Sequence, residues 1–312
     1  MRIAIVAAGA VGGYVGALLS RAGHDVALVA RGTHLAAIRA DGLTVKMPDE
    51  EINIRPSVAT DDPAEIGPVD AVVFAVKAHH AEGAAMQCRP LLKPGTGVVP
   101  FLNGVEASDI LAKAVGQDAA MAGTCYIFSR IAAPGVIQQT GANARFLFGE
   151  TDGSQSERSV ALRRAFTEAS ITCPEPDDIR VEVWRKFVFL ASMAGMTTVA
   201  RTTVGNIREN TAMTALFLRA MKEVADVAAA RDVALPPGVI DEHLAFFNNA
   251  PFEARSSMAQ DLDAGLPIEI EWLSGAVVRI GRQAGIDTPV HQTFHAVLQP
   301  FAAGTPAGGN TK

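Results

Sequence analysis

Up to about position 178 the apolar residues fall into short runs, and beyond it they recur at helical spacing. Four runs, at 3–6, 26–29, 69–76 and 98–102, read as strands buried on both faces, the form that parallel strands take. Between the first two lies a helix with Val15, Leu18 and Leu19 on its apolar face. Gly23 ends it, with Arg21 and His24 near its negative C-terminal end. Further helices are predicted around 35–40, 81–92 and 160–169, and 43–47 and 52–54 as short strands or a hairpin. The stretches 121–131, 135–139 and 144–148 read as additional strands around a Pro134-Gly135 turn. Prolines and acids at 173–178 mark a linker.

The second region carries no strand signal. Residues 181–200 are apolar nearly all round, which predicts a central buried helix. Residues 208–231 are amphipathic, with Met213, Leu216, Ala220, Val224 and Val227 on one face, and Pro236-Pro237-Gly238 breaks the pattern. Helices at 239–247, 254–264, 269–284 and 290–298 complete a helical domain. The fold class expected is α/β: an N-terminal Rossmann-type doubly wound sheet over 1–172, then an all-helical C-terminal domain over 179–301. The Gly/Pro/polar tail, 302–312, is expected to be disordered.

The first strand runs into Ala7-Ala8-Gly9-Ala10-Val11-Gly12, followed by Gly13. Strand, glycine turn, helix and strand within about thirty residues is the context of a dinucleotide-binding fingerprint. Ala7 replaces the first glycine, at a cost of about 1 kcal/mol if that position needs a positive φ. Gly9 and Gly12 keep the approach to a pyrophosphate and the close helix packing. The second strand ends at Arg31, where an NAD-type site places an acid. A guanidinium there pairs with a 2′-phosphate, worth about 1.5–3 kcal/mol, which predicts NADPH/NADP as cofactor. The alternative is a solvated surface arginine.

A chain of 312 residues suggests two domains. Net charge is −6 with signs interspersed, and no basic patch carries interleaved aromatics, so nucleic acid is not an expected partner. No apolar run reaches membrane-spanning length without glycines, so no membrane association is expected. The uncharged stretch 3–19 holds four glycines and a strand, which argues against a signal peptide. Cys88, Cys125 and Cys173 are far apart and odd in number, which fits a reduced, cytoplasmic protein. The seven histidines show no metal-ligand spacing, so no metal is expected. The assembly is left open, with a homodimer as the candidate.

Lys77 and Asn103 follow the third and fourth parallel strands, at the carboxyl edge where such sheets bind ligands. In the second region Lys186 stands in an apolar stripe with Phe189, Leu190 and Met193. It is either a desolvated lysine with a lowered pKa, usable as an acid or base, or a lysine at a helix start reaching for water. Ser256-Ser257 and Pro267 with Glu269 are adequately explained as helix openings.

Taken in order, the chain resembles the ketopantoate reductase family over nearly its whole length. The matching residues are Gly9-Ala10-Val11-Gly12-Gly13, Val29-Ala30-Arg31-Gly32, Val76-Lys77-Ala78 and Leu102-Asn103-Gly104-Val105. Further on they are Trp184-Arg185-Lys186, Ser256-Ser257-Met258 with Gln260-Asp261, and Glu269-Ile270-Glu271 leading to Gly275. The resemblance implies NADPH on the first domain and a 2-oxo acid in the cleft, reduced to a 2-hydroxy acid. It implies Lys186 as catalytic proton donor and Glu269 as an acid near substrate and nicotinamide. Lys77 and Asn103 are implied near cofactor and substrate, and Ser257 as a substrate contact. The family commonly has substrate-binding asparagines four and eight residues after that lysine; here they are Leu190 and Ala194. Neither bonds through its side chain, so a more apolar 2-oxo acid than ketopantoate is the first alternative. A non-catalytic NADP(H)-binding sensor is the second.

Overall fold

The computed structural model of the protein describes residues 1–305, apart from the side chains at 142 and 143. In chain order the first region holds β1 (Arg2–Val6), α1 (Ala10–Arg21), β2 (Asp25–Val29), α2 (Gly32–Asp41), β3 (Leu43–Lys46), β4 (Glu51–Ile54) and β5 (Val58–Thr60). It continues with β6 (Ala71–Phe74), α3 (Ala81–Met86), β7 (Gly97–Pro100), α4 (Ala107–Val115), β8 (Met121–Ala133), β9 (Val136–Glu150) and α5 (Glu157–Glu168). Five strands form an all-parallel sheet in the order β5-β2-β1-β6-β7, which reverses direction beside β1 as a Rossmann-type sheet does.

Period-two alternation explains why these strands carry no charge in their centres. Ile3, Ile5, Val26, Leu28, Val73 and Val99 enter one core with α1 and α5 residues. Their neighbours Ala4, Val6, Ala27, Val29, Val72, Phe74 and Val98 enter a second core with Leu111 of α4. Both faces are covered, so the central positions are apolar. Each large side chain so buried contributes about 1.5–3 kcal/mol.

The later strands do not extend this sheet. β8 and β9 form a long antiparallel hairpin, and β9 pairs in parallel with β3, giving a second sheet in the order β4-β3-β9-β8. The stretches 135–139 and 144–148 are one strand, β9, bridged through Gly141 at φ 81°. The short β5 and α4 carry no sequence expectation. β5 has only three residues, too few for a periodicity to register.

The glycine turn ends β1. Ala7 has φ 70°, so this position does need the left-handed backbone, and alanine there costs about 1–2 kcal/mol. A Cβ on Gly12 would lie 2.3 Å from the Ala7 carbonyl oxygen and 2.9 Å from Ile5 Cγ2. One turn on, a Cβ on Gly16 would lie 2.9 Å from Leu28 Cδ2. Glycine at both positions lets α1 lie directly on β1 and β2.

The second compact unit comprises Arg180 onward together with the four residues Asn103–Glu106. Its elements are α6 (Ile179–Val199), α7 (Val204–Glu209), α8 (Thr211–Ala229), α9 (Val239–Asn249), α10 (Ser257–Asp263), α11 (Ser274–Ala284) and α12 (Pro289–Leu298). α6 is the central helix: Phe187, Val188, Ala191 and Ala194 pack with Phe217, Met221 and Val224 of α8 and with Phe294 of α12. Two of its three buried hydroxyls are satisfied within the helix, Ser192 donating to the Val188 carbonyl at 2.9 Å and Thr197 to the Met193 carbonyl at 2.8 Å.

Two helix expectations are corrected. The pattern at 208–231 is broken at Asn210, which leaves helical geometry and caps α8 by accepting from Met213 N at 3.1 Å. The stretch 269–284 becomes helical only at Ser274, because 269–273 turns and spends its two carboxylates on tertiary contacts. The start of the expected disordered tail is held: the Ala302 carbonyl accepts from Ile268 N at 3.3 Å and Thr305 N donates to the Gly265 carbonyl at 3.2 Å. The remainder, 306–312, lies outside the described residues.

Candidate active site

Lys186, Asn103 and Glu269 come together in the helical unit, and Gly9, Arg31 and Lys77 belong to the first unit. In the first unit Gly9 opens α1 with no side-chain cap, and the first turn of that helix carries no acid. A Cβ on Gly9 would meet nothing nearer than Ile131 Cδ1 at 4.0 Å. The backbone N–H groups of Gly9, Ala10 and Val11 therefore stand at an open, electropositive helix start, which fits the pyrophosphate of a dinucleotide. Arg31 directly precedes α2, is exposed, and donates from Nη2 to Gln87 Oε1 at 2.9 Å. Lys77 is exposed, three residues beyond the end of β6.

Asn103 likewise stands three residues beyond the end of β7, and Phe74 and Pro100 at the two strand ends are paired in register. Its four-residue segment belongs with the helical unit. There Lys186 Nζ donates to Asn103 Oδ1 at 3.3 Å, and Asn103 Nδ2 donates to Glu269 Oε2 at 3.1 Å. The amide is thereby oriented, its carbonyl toward an ammonium and its NH2 toward a carboxylate. Glu269 is only 4% exposed, so the charge-assisted bond from Asn103 offsets part of the cost of burying a carboxylate. Lys186 is half-buried, neither sealed in the core nor fully in water.

The segment carrying Asn103 is laid along the 269–273 turn. Gly104 has φ 100°, and a Cβ there would lie 3.1 Å from the Trp272 carbonyl oxygen. Glu106 accepts two bonds from the Arg279 guanidinium, which also reaches the Glu271 carbonyl at 3.5 Å. Glu271 in turn pairs with His295 Nε2 at 2.9 Å.

One face of α6 continues from Lys186 through Leu190 and Met193 to Thr197, at spacings of four, three and four residues. Leu190 and Met193 are half-exposed, so this face presents an apolar wall next to the ammonium. Ala194 does not join it; it is 1% exposed and packed into the helical core. At the far end Thr197 bonds the hydroxyl of Ser256 at 2.8 Å, and Ser256 caps α10 through Ala259 N at 3.1 Å. Ser257, the first residue of α10, is exposed.

Sequence reasoning passed over Gln87, His34 and the Glu106–Arg279 and Glu271–His295 pairs. Their partners lie 24 to 173 positions away, so no local spacing reveals them. Among the described residues no cluster of three or more His, Cys, Asp or Glu could hold a metal ion. No described helix is long and apolar enough to cross a membrane. All three cysteines are buried, and burial pushes the Cys88 and Cys173 thiols up to about 12.

Residues 3–153 match the family model described as ketopantoate reductase PanE/ApbA, and residues 178–302 match that of its C-terminal part. A 2-dehydropantoate 2-reductase of Mesorhizobium japonicum is 33% identical, the alignment covering 97% of this chain and 98% of that protein. The uncharacterized oxidoreductase YkpB of Bacillus subtilis is 28% identical, over 97% and 99% of the two chains. The crystal structure of a PanE/ApbA family ketopantoate reductase from Ralstonia eutropha superposes with a TM-score of 0.88 at 29% identity, over 97% of this chain and 98% of that one. With both regions matched in order and nearly end to end, the chain belongs to the ketopantoate reductase family and is an NAD(P)H-dependent oxidoreductase acting on a 2-oxo acid.

Proposed function

We propose that the protein reduces a 2-oxo acid to the 2-hydroxy acid with NADPH, with 2-dehydropantoate as the leading substrate. The observation that carries this reading is the bonded series Lys186–Asn103–Glu269. When bound, the nicotinamide supplies hydride to the carbonyl carbon. The oxygen then gains negative charge and needs a proton. Lys186 donates a hydrogen bond to that oxygen, stabilises the charge, and gives up its proton. Asn103 fixes the ammonium's direction, and Glu269 fixes Asn103. In the first unit the Ala7–Gly12 turn would hold the pyrophosphate, Arg31 the 2′-phosphate, and Lys77 a polar group of cofactor or substrate.

A second reading concerns the substrate alone. Leu190 and Met193 form an apolar wall beside Lys186, which favours a 2-oxo acid with a hydrocarbon side chain over one whose hydroxyl seeks a partner. Ser257 is the remaining candidate for a polar substrate contact. The deciding experiment follows NADPH and NADH oxidation by the purified protein with a panel of 2-oxo acids that includes 2-dehydropantoate and aliphatic analogues. Turnover of 2-dehydropantoate with NADPH well above the rest supports the first reading. Preference for an aliphatic 2-oxo acid supports the second. Turnover of none would overturn both.

A further inference from the structure

We propose that His34 is a positioning residue for the dinucleotide turn: as the neutral tautomer protonated at Nε2, it holds the Ala7-Ala8-Gly9 backbone in the shape that receives a pyrophosphate. The inference rests on the NAD(P)H reading above and concerns a residue of the first unit that takes no part in the proton transfer.

His34 lies in the first turn of α2, three residues after Arg31. Its Nε2 is 2.9 Å from the Ala8 carbonyl oxygen, and its Nδ1 is 3.0 Å from Gly135 N. These partners decide the tautomer. A carbonyl only accepts, so Nε2 carries the hydrogen; a backbone N–H only donates, so Nδ1 carries none. An imidazolium or the other tautomer would oppose hydrogen to hydrogen at Gly135. One ring thus ties the glycine turn to the turn between β8 and β9, segments more than a hundred positions apart.

The turn needs such a tie because of Ala7. A non-glycine residue at φ 70° persists only where its surroundings over-determine it. Ala8 is clamped from both sides: its N–H donates to the Val29 carbonyl at 2.8 Å, and its carbonyl accepts from His34. The Gly9 carbonyl is engaged by Gly13 N at 2.7 Å. With both flanking carbonyls fixed, the N–H groups that follow keep one direction, and a pyrophosphate meets them without reorganisation. Without His34 the Ala8–Gly9 peptide is free to rotate next to the strained Ala7, and the N–H groups lose their common aim. A glycine at position 7 would not require holding, so the role of His34 is coupled to the alanine found there.

Three measurements test this. In cofactor-free protein the 15N imidazole spectrum, assigned with His34→Gln, is expected to show a protonated Nε2 and an unprotonated, hydrogen-bonded Nδ1. The opposite tautomer overturns the proposal. In titrations followed by fluorescence, His34→Leu is expected to bind NADPH about 10-fold more weakly, the scale of one lost hydrogen bond. His34→Gln, which can donate and accept at once, is expected to bind within about threefold of wild type on the same scale. Finally, Ala7→Gly in the His34→Leu protein is expected to restore most of the lost affinity. A folded His34→Leu protein that binds like wild type, or additive effects in the double variant, overturns the proposal. If His34→Leu does not fold, weak NADPH binding by both His34→Gln and the double variant has the same consequence. Wild type that binds neither NADPH nor NADH overturns the cofactor reading itself, and this role with it.

Discussion

The dinucleotide turn and the Lys186–Asn103–Glu269 series are both polar constructions set against apolar cores, but they are assembled over different distances. Ala7 to Gly12 and Arg31 belong to one strand–helix–strand unit of about thirty residues. The members of the series are separated by 83 and 166 positions. The groups that the proposed function assigns to the turn are backbone N–H groups, which exist whatever the side chains, provided glycine permits the approach. The series depends on three side chains whose directions are set by tertiary packing. The first site should therefore tolerate changes that leave its backbone path intact, and the second should fail with any one side chain.

The sharpest test of that contrast is Lys186→Met. It fills similar space without a proton, so the rate of single-turnover hydride transfer is expected to fall by about 10²–10⁴-fold. NADPH affinity is expected to stay near wild type in the same sample. Near-normal turnover in a protein that melts like wild type would remove Lys186 from the mechanism.

The helical unit can next be set apart by acid. His291 is fully buried, its ring between Ser274 Oγ at 3.2 Å and the Ala220 carbonyl at 3.1 Å, and burial lowers its pKa to about 4. A pKa depressed on folding means the unfolded chain takes up the proton first. The stabilisation is complete above about pH 6.5 and is lost as pH falls toward about 4, amounting to about 3 kcal/mol. Glu223, raised by burial and bonded to Val290 N and His291 N, acts in the opposite sense: its neutral form is favoured in the fold as pH falls. Denaturant unfolding of wild type and His291→Gln at pH 7 and pH 4 isolates the histidine. Equal pH dependence of the two would contradict its assignment as a neutral buried group.

Arg31→Asp probes the turn's side of the comparison. It is expected to weaken NADPH binding by about 1.5–3 kcal/mol and to favour NADH in relative terms. Equal wild-type affinities for the two cofactors would remove the guanidinium from selectivity. At the wall beside Lys186, Leu190→Asn is expected to move kcat/KM toward 2-dehydropantoate over an aliphatic 2-oxo acid by about 1–3 kcal/mol. An unchanged ratio would mean that position 190 does not face the substrate. The smallest effect is expected from Ala7→Gly, about 0.5–1 kcal/mol of added stability in chemical denaturation, because glycine accepts φ 70°. A loss of stability would mean that the turn holds Ala7 without strain.

The legibility of the two regions follows the same division. Four strands of the parallel sheet announced themselves as apolar runs because both faces are buried, and the turn as glycines in a strand–helix context. Gly9, Gly12 and Arg31 were therefore placed from local pattern. The antiparallel hairpin was recognised as strands but not as a separate sheet, since its parallel partner β3 lies about ninety positions earlier. In the helical region apolar periodicity located the helices except the short α7. It ran through Asn210, where a cap interrupts it, and through 269–273, where Glu269 and Glu271 turn to Asn103 and His295. Lys186 drew notice as a cation in an apolar stripe, yet spacing alone left open whether it was buried or reaching for water.

By itself the sequence determined the class of fold and the strand–glycine turn–helix that opens it, because burial on both faces and close helix packing leave periodic and glycine signals in adjacent residues. Only the tertiary structure decided that Ala7 takes a positive φ, that Lys186 is half-buried and bonded to Asn103, that Asn103 is held by Glu269, that Ala194 is packed in the helical core, and that His34 reaches Ala8 and Gly135. Those are directed bonds and contacts between distant positions, and a hydrogen-bond partner has no spacing along the chain by which it could be read.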